Sequence, residues 1–363
     1  MTPVRLPDFP WDSLAGVKAR AQAHPGGVVD LSIGTPVDPV PQPIRDALAS
    51  VSDVPGYPTT HGIPALREAA VTALSRRHGV DCIGPDAVLP TIGSKEAVAW
   101  LPRLLGFGPG DIVVIPELAY PTYEVGVLLA GATVLRTDGL TALGPQKPAM
   151  IWLNSPSNPT GRVLPVEHLR KVVEWARERD VLVVSDECYL ALGWESEPLS
   201  ILHPSVCDGR TDGLLAVHSL SKSANLASYR AGFLTGDPQV VARLLEVRRH
   251  AGMIVPRPVQ EAMVAALGDD EALATQRERY ARRRLALRKA LLDNGFRIDH
   301  SEAGLYLWAT RGEDAQATVG WLAERGILVA PGTFYGPSGA QHVRVALTAT
   351  DERVDAAVER LTA

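Results

Sequence analysis

The sequence predicts an α/β fold: a large unit with a mainly parallel central sheet flanked by helices, joined to a smaller α+β unit. Three observations predict it. Amphipathic stretches of helical period alternate with short β-branched runs from about Pro64 to Arg325. Several of those runs are apolar throughout, as strands covered on both faces require. After Gly252 the pattern changes, because Pro256 and Pro258 break the chain ahead of a long Arg-rich helical stretch.

Taken in order, the stretch up to about Val40 is rich in proline and glycine and is expected to pack against the smaller unit. Pro64 stands where a first helical residue should, Leu66 to His78 carry the 3.6-residue pattern, and Gly79 provides the stop. Val88 to Ile92, Ile112 to Pro116, Thr133 to Arg136, Met150 to Leu153, Val181 to Ser185 and Leu214 to His218 read as strands. A helix is expected from about Glu271 to Asn294, then strands near Tyr306 and Val343 and helices near Trp321 and Val354. A chain of 363 residues is too long for one simple core. The pattern assigns residues 41–252 to the large unit and residues 1–40 with 253–363 to the small one.

Composition excludes several classes of function. Hydrophobic residues at 46% and charged residues at 21% are ordinary for a globular protein. A net charge of -5 leaves no basic footprint, so no nucleic-acid partner is expected. The stretch from Met1 through Arg5, Asp8 and Asp12 lacks the apolar core of a signal peptide, and no run is fit to span a bilayer. The expected location is the cytoplasm, with no membrane partner. Cys82, Cys188 and Cys207 are an odd number without metal-ligand spacing, so reduced thiols and no metal are expected.

Four segments carry chemistry. Ser219-Leu220-Ser221-Lys222 follows a buried strand, where open α/β sheets bind ligands. A lone loop lysine is usually a surface charge, so its weight comes from its neighbours. The run Val181 to Tyr189 ends an apolar strand in Asp186, which is either a turn residue or a fixed buried carboxylate that keeps a pyridine nitrogen protonated. Tyr189, three residues on, can donate to such a ring's phenolic oxygen. Asn154-Ser155-Pro156-Ser157-Asn158-Pro159-Thr160-Gly161 is a plain strand-to-helix connection, or a rigid platform with an amide aimed at a ligand. Thr91-Ile92-Gly93-Ser94-Lys95 turns from strand to helix, and free N–H groups there make a phosphate seat to which Arg230 would add a bidentate clamp. Gly106-Phe107-Gly108-Pro109-Gly110 has the outward form of a dinucleotide loop, but it follows a helix and precedes a strand, the reverse of the required context.

These segments, in this order, resemble the fold-type I, class I and II aminotransferases over essentially the whole chain. The resemblance implies pyridoxal 5′-phosphate as cofactor and Lys222 as the residue that forms an imine with it. Asp186 would pair with the pyridine nitrogen, while Asn158 and Tyr189 hold the ring oxygen. Gly93, Ser94, Lys95, Ser219 and Arg230 would hold the phosphate, and Tyr120 would stack on the ring. Tyr57, in Gly56-Tyr57-Pro58, matches a tyrosine that reaches the neighbouring subunit's phosphate, which implies a homodimer. Arg344 matches the arginine that grips the substrate α-carboxylate, and Gly34 a backbone position beside it. Ser228 departs from the pattern where glycine is usual. The wording of Leu31 to Val40, Tyr57 to Glu68 and Leu220 to Phe233 is similar to actinobacterial N-succinyldiaminopimelate aminotransferases of lysine biosynthesis. Glutamate and 2-oxoglutarate would then be the second substrate pair. Lys18, Arg20, Arg257 and Lys95 are candidates for reading the substrate's distal end. A lyase using the same cofactor and a non-catalytic regulator are the rival readings, and a nicotinamide dehydrogenase lacks its glycine fingerprint.

Overall fold

A computed structural model describes residues 5–362. The chain opens with helix α1 (Ala15–Gln22) and a short strand, β1 (Val29–Asp30), then passes through α2 (Gln42–Ala49). Helix α3 (Pro64–His78) starts on a proline, whose missing N–H has no partner to lose in a first turn. It stops at Gly79, whose φ of 62° suits a residue without a Cβ.

Seven strands then build the main sheet: β2 (Val88–Ile92), β3 (Ile112–Ile115), β4 (Thr133–Arg136), β5 (Met150–Asn154), β6 (Leu182–Asp186), β7 (Leu214–Ser219) and β8 (Ala231–Gly236). Their order is β2-β8-β7-β6-β5-β3-β4. The run from β4 to β7 is parallel, while β8 lies antiparallel between β7 and β2. Strand β8 escapes the sequence reading because two of its six residues are glycines and it has no β-branched run. The sheet needs that smallness: a Cβ on Gly232 would stand 2.9 Å from the His218 carbonyl oxygen of β7.

Helices α4 (Gly93–Leu104), α5 (Thr122–Ala130), α6 (Val166–Arg177), α7 (Pro204–Cys207), α8 (Pro238–His250) and α9 (Arg257–Gly268) cover both faces. Alternation along β5 divides the core: Ile151 and Leu153 pack with Leu66 of α3, Leu169 of α6 and Met263 of α9. Met150 and Trp152 face the other way, onto Leu101 of α4, Val127 of α5 and Leu244 of α8.

The long helix α10 (Asp270–Asp293) leads into the smaller unit, made of β9 (Arg297–Asp299), β10 (Tyr306–Thr310), α11 (Ala315–Glu324), β11 (Ile327–Leu328), β12 (Ala330–Pro331), β13 (Val343–Ala346) and α12 (Asp351–Thr362). Its antiparallel sheet runs β12-β13-β10-β9, and Leu287, Leu307, Leu322 and Val345 share its core. Strand β1 pairs in parallel with β11, which ties the amino-terminal stretch to this unit. The strand expected at Val181 to Ser185 starts one residue later and runs through Asp186, so Asp186 is a strand-end residue and not a turn cap. Among the described residues, no helix is long and apolar enough to cross a membrane, and no cluster of metal-ligating side chains occurs.

Helices α4 and α5 touch at Gly126, where an added Cβ would lie 2.7 Å from the Val98 carbonyl oxygen and 3.0 Å from that of Ala99. Backbone cannot swing aside as a side chain can. Gly126→Ala is therefore expected to lower the unfolding free energy by about 1–3 kcal/mol in urea denaturation. An unchanged midpoint would mean that the two helices separate freely.

Candidate active site

The carboxyl ends of β6 and β7 and the loop after β5 open onto a cavity of about 880 Å³, which the start of α4 and the strand β13 also line. Parallel strands placed side by side deliver their last residues to one edge, so side chains far apart in sequence converge there.

Asp186 is buried at the end of β6. Its Oδ1 accepts the Cys188 N–H at 3.1 Å and its Oδ2 accepts the Tyr123 hydroxyl at 2.7 Å. Burial pushes its carboxyl above the usual range, and these donors pull back against that rise. Tyr123 is itself locked by stacking on Trp152, with ring centroids 4.8 Å apart. The loop after β5 is set by Asn154, whose Nδ2 donates to the Asp186 carbonyl at 2.9 Å and whose Oδ1 accepts the Asn158 N–H at 2.7 Å.

Lys222 follows β7 and lines the cavity. Burial holds its ammonium below the usual lysine range, with Arg344 and Arg230 adding repulsion against a pull from Tyr306 and Cys188. Arg344 of β13 is 2% exposed. One of its Nη atoms donates to Asn158 Oδ1 at 2.8 Å, the other to the Ser32 carbonyl at 2.7 Å, and its buried Nε has no partner. Its guanidinium carbon lies 3.9 Å from the Tyr306 ring centroid and 4.9 Å from that of Tyr335. Tyr306 also bonds through its hydroxyl to that of Tyr189 at 3.0 Å. A Cβ on Gly34 would lie 2.2 Å from the Tyr306 hydroxyl oxygen, so only glycine allows that close approach.

At the other end of the cavity, α4 begins without a side-chain cap. Gly93 has φ +71°, and a Cβ there would stand 2.4 Å from an Arg230 Nη. The glycine thus admits a guanidinium beside free helix N–H groups, with Ser94, Ser219 and Ser221 in the same lining. Arg230 takes a left-handed φ of 57°, as does Asn225 at 58°; Ser228 does not, so the serine meets no strained backbone where glycine was expected.

One cavity therefore gathers Gly34, Ser94, Lys95, Tyr120, Asn158, Asp186, Tyr189, Ser219, Lys222, Arg230 and Arg344, with Gly93 against Arg230. Burial pushes the Tyr120 hydroxyl up to about 12, and its ring meets Tyr123 edge-on. Lys95 extends outward, its ammonium 5.5 Å from the centroid of Phe9. Tyr57 is the exception: it is 99% exposed and lies outside its own chain's cavity. Lys18, Arg20 and Arg257 do not line it either, and Arg257 pairs with Glu261. The sequence reading missed Tyr123, Tyr306 and the outer wall of Phe9, Trp11 and Phe334. Only Tyr123 had a local signal, one helical turn after Tyr120.

A buried carboxylate, a half-buried lysine, an arginine beside an uncapped helix start and a buried guanidinium with an unpartnered Nε match the pyridinium, carbonyl, phosphate and substrate demands of pyridoxal phosphate. Fold and site together define a pyridoxal-phosphate-dependent aminotransferase of fold type I. The chain belongs to the aminotransferase class I and II family, whose pattern matches residues 26–361. It is 69% identical over 357 residues to the probable aminotransferase Rv1178 of Mycobacterium tuberculosis, covering 98% of this chain and 85% of that protein. It is 58% identical to the 4-dedimethylamino-4-oxo-anhydrotetracycline transaminase OxyQ of Streptomyces rimosus, covering 98% and 99%. A solved structure of a probable N-succinyldiaminopimelate aminotransferase from Thermus thermophilus superposes with a TM-score of 0.86 at 29% identity, covering 97% and 99%.

Two predictions follow from the buried acids. Tyr123→Phe removes a hydrogen bond to a buried carboxylate and is expected to weaken pyridoxal phosphate binding about tenfold in a fluorescence titration; unchanged affinity would mean that Asp186 is held without it. Beside it, burial raises Glu187 to about 7, while His218, 3.8 Å away, is pushed down to about 3 and stays neutral. The folded state thus binds the Glu187 proton more tightly than the unfolded state, so the stability gained is complete below pH 4.5 and is lost as pH rises through 7. Glu187→Gln, neutral throughout, should gain on wild type by on the order of 2–3 kcal/mol across that window. A pH-independent difference in denaturation midpoints would contradict this.

Proposed function

We propose that this aminotransferase moves the amino group of N-succinyl-LL-2,6-diaminopimelate to 2-oxoglutarate, in lysine and diaminopimelate biosynthesis. The observation that carries the reading is Arg344: a buried guanidinium, in the same cavity as Lys222, that meets only neutral oxygens and two aromatic faces. Such a group favours a carboxylate brought in by a substrate. The cavity is large enough for a long side chain beyond it, and Lys95, which makes no ion pair with any described residue, supplies a cation at its outer wall for a distal carboxylate.

Each side chain has a part in this reading. Arg344 takes the α-carboxylate, steadied by Asn158, whose Nδ2 stays free to donate to the ring oxygen alongside Tyr189. Gly93, Ser94, Ser219 and Arg230 hold the phosphate, while the Lys95 ammonium extends past it to the outer wall. Tyr120 covers one face of the ring. When bound, pyridoxal phosphate supplies a protonated ring that takes up the electron pair released at the substrate Cα. Asp186 keeps the ring nitrogen protonated, and Tyr123 keeps Asp186 in place. Lys222, its ammonium held below the usual lysine range by burial, is the residue placed to act as the base, its Nζ taking the proton from the substrate Cα. Glutamate restores the amino group in the second half-reaction, so the kinetics are ping-pong. The exposed Tyr57 completes the phosphate site of a second copy, which makes the working unit a homodimer.

With 2-oxoglutarate as acceptor, N-succinyl-LL-2,6-diaminopimelate is expected to exceed unacylated LL-2,6-diaminopimelate at least tenfold in kcat/KM. Equal or reversed preference would remove the succinylated substrate from the account. The tetracycline-type ketone belongs in the same panel, because a relative of 58% identity carries that activity in its name. Arg344→Gln should lower kcat/KM for every amino acid by about 10²–10³-fold, since it strips the partner from a buried carboxylate.

A further inference from the structure

Two of the three cysteines stand together, away from the transamination site. Cys82 lies between α3 and β2, and Cys207 ends α7, both in the core that α3 and α6 cover. The Cys82 thiol donates to the Leu202 carbonyl oxygen at 3.3 Å, and the Cys207 thiol donates to that same oxygen at 3.4 Å. Two sulfurs that donate to one carbonyl oxygen are neighbours across it. Their exposure differs. Cys82 is half-buried and reaches solvent, while Cys207 is wholly buried behind it. Arg177 stands beside the pair, one Nη donating to the Cys207 carbonyl at 3.0 Å and to that of Arg210 at 2.7 Å. Cys188, the third cysteine, lines the active-site cavity.

We propose that Cys82 and Cys207 form an oxidisable dithiol that exchanges with small-molecule disulfides to give an intramolecular protein disulfide. In the first step the Cys82 sulfur, as thiolate, attacks one sulfur of the oxidant R–S–S–R; a Cys82–S–S–R bond forms and R–S⁻ leaves. In the second, the Cys207 thiolate attacks the Cys82 sulfur, the protein disulfide forms and the second R–S⁻ leaves. Two protein thiols lose two electrons and two protons, and the oxidant becomes two R–SH. Exposure assigns the order: the half-buried cysteine meets the oxidant, and the buried one resolves. Cys82 first, then the Gly209 N–H and Arg177, lower the Cys207 thiol, so the pair's negative charge rests on Cys207, and the attacking Cys82 thiolate forms as its proton passes to that neighbouring sulfur.

The disulfide would tie the segment leading into β2 to the helix that precedes β7; β7 delivers Ser219 to the active-site cavity, and β2 leads into α4, which delivers Ser94 and Lys95. Its closed loop is long, the case in which a cross-link constrains the unfolded chain most.

The test uses the purified holoenzyme, oxidised glutathione as the probe, and two readouts: intact mass and thiols titratable in denaturant. Titratable thiols should fall from three to one, with the mass lower by two hydrogens and no glutathione retained. Dithiothreitol should restore all three, and the oxidised form should melt several degrees higher. Cys188→Ala should still lose two thiols, whereas Cys207→Ala should stop at a glutathione adduct on Cys82 and Cys82→Ala should not react. Wild type that keeps three thiols, holds a stable glutathione adduct or forms only intermolecular disulfides would overturn the proposal. So would loss of both remaining thiols in Cys207→Ala.

Discussion

A guanidinium taken out of water is among the most expensive groups a fold can bury, and Arg344 is buried without a carboxylate on any described residue. The surrounding structure compensates in pieces. Two neutral oxygens accept its Nη atoms, and two tyrosine rings offer their negative faces. Those pieces come from distant parts of the chain: Ser32 from the amino-terminal stretch, Asn158 from the loop after β5, Tyr306 from β10. Satisfying one cation thus ties the smaller unit to the strand ends of the main sheet. It also leaves an orphaned Nε in the cavity wall, an anion-seeking site by construction.

The same economy governs the other buried charges. Asp186 and Lys222 share one cavity, and burial moves their proton affinities in opposite directions, the acid upward and the ammonium downward. Each shift disfavours the charged form. For Lys222 that is useful, because a neutral amine is a base. Asp186 instead needs help to stay charged, which Tyr123 and the Cys188 N–H give. A cationic ring beside Asp186 would complete that support.

Most of the fold was legible because parallel strands buried on both faces read as unbroken apolar runs, and the helix that Pro64 starts and Gly79 stops carries its punctuation in the sequence. Strand β8 was illegible for the opposite reason, since its glycines answer to the neighbouring backbone rather than to a hydrophobic pattern. Residues placed at strand ends, such as Asp186, Ser219 and Lys222, were readable from the strand they follow. Tyr306 and the wall of Phe9, Trp11 and Phe334 were not, because their roles arise only when the small unit and the amino-terminal stretch fold over the sheet. Lys95 shows the limit of motif reading in another way: it occupies the expected turn, yet its ammonium stands over Phe9 at the outer wall.

Transamination in this cavity requires Lys222 to be the one lysine that the cofactor engages. Borohydride reduction of the protein loaded with pyridoxal phosphate, followed by peptide mapping, tests this most directly. A single phosphopyridoxyl group on the peptide carrying Lys222 is the predicted result. Label on Lys95 or another lysine, or none retained after reduction, would contradict it.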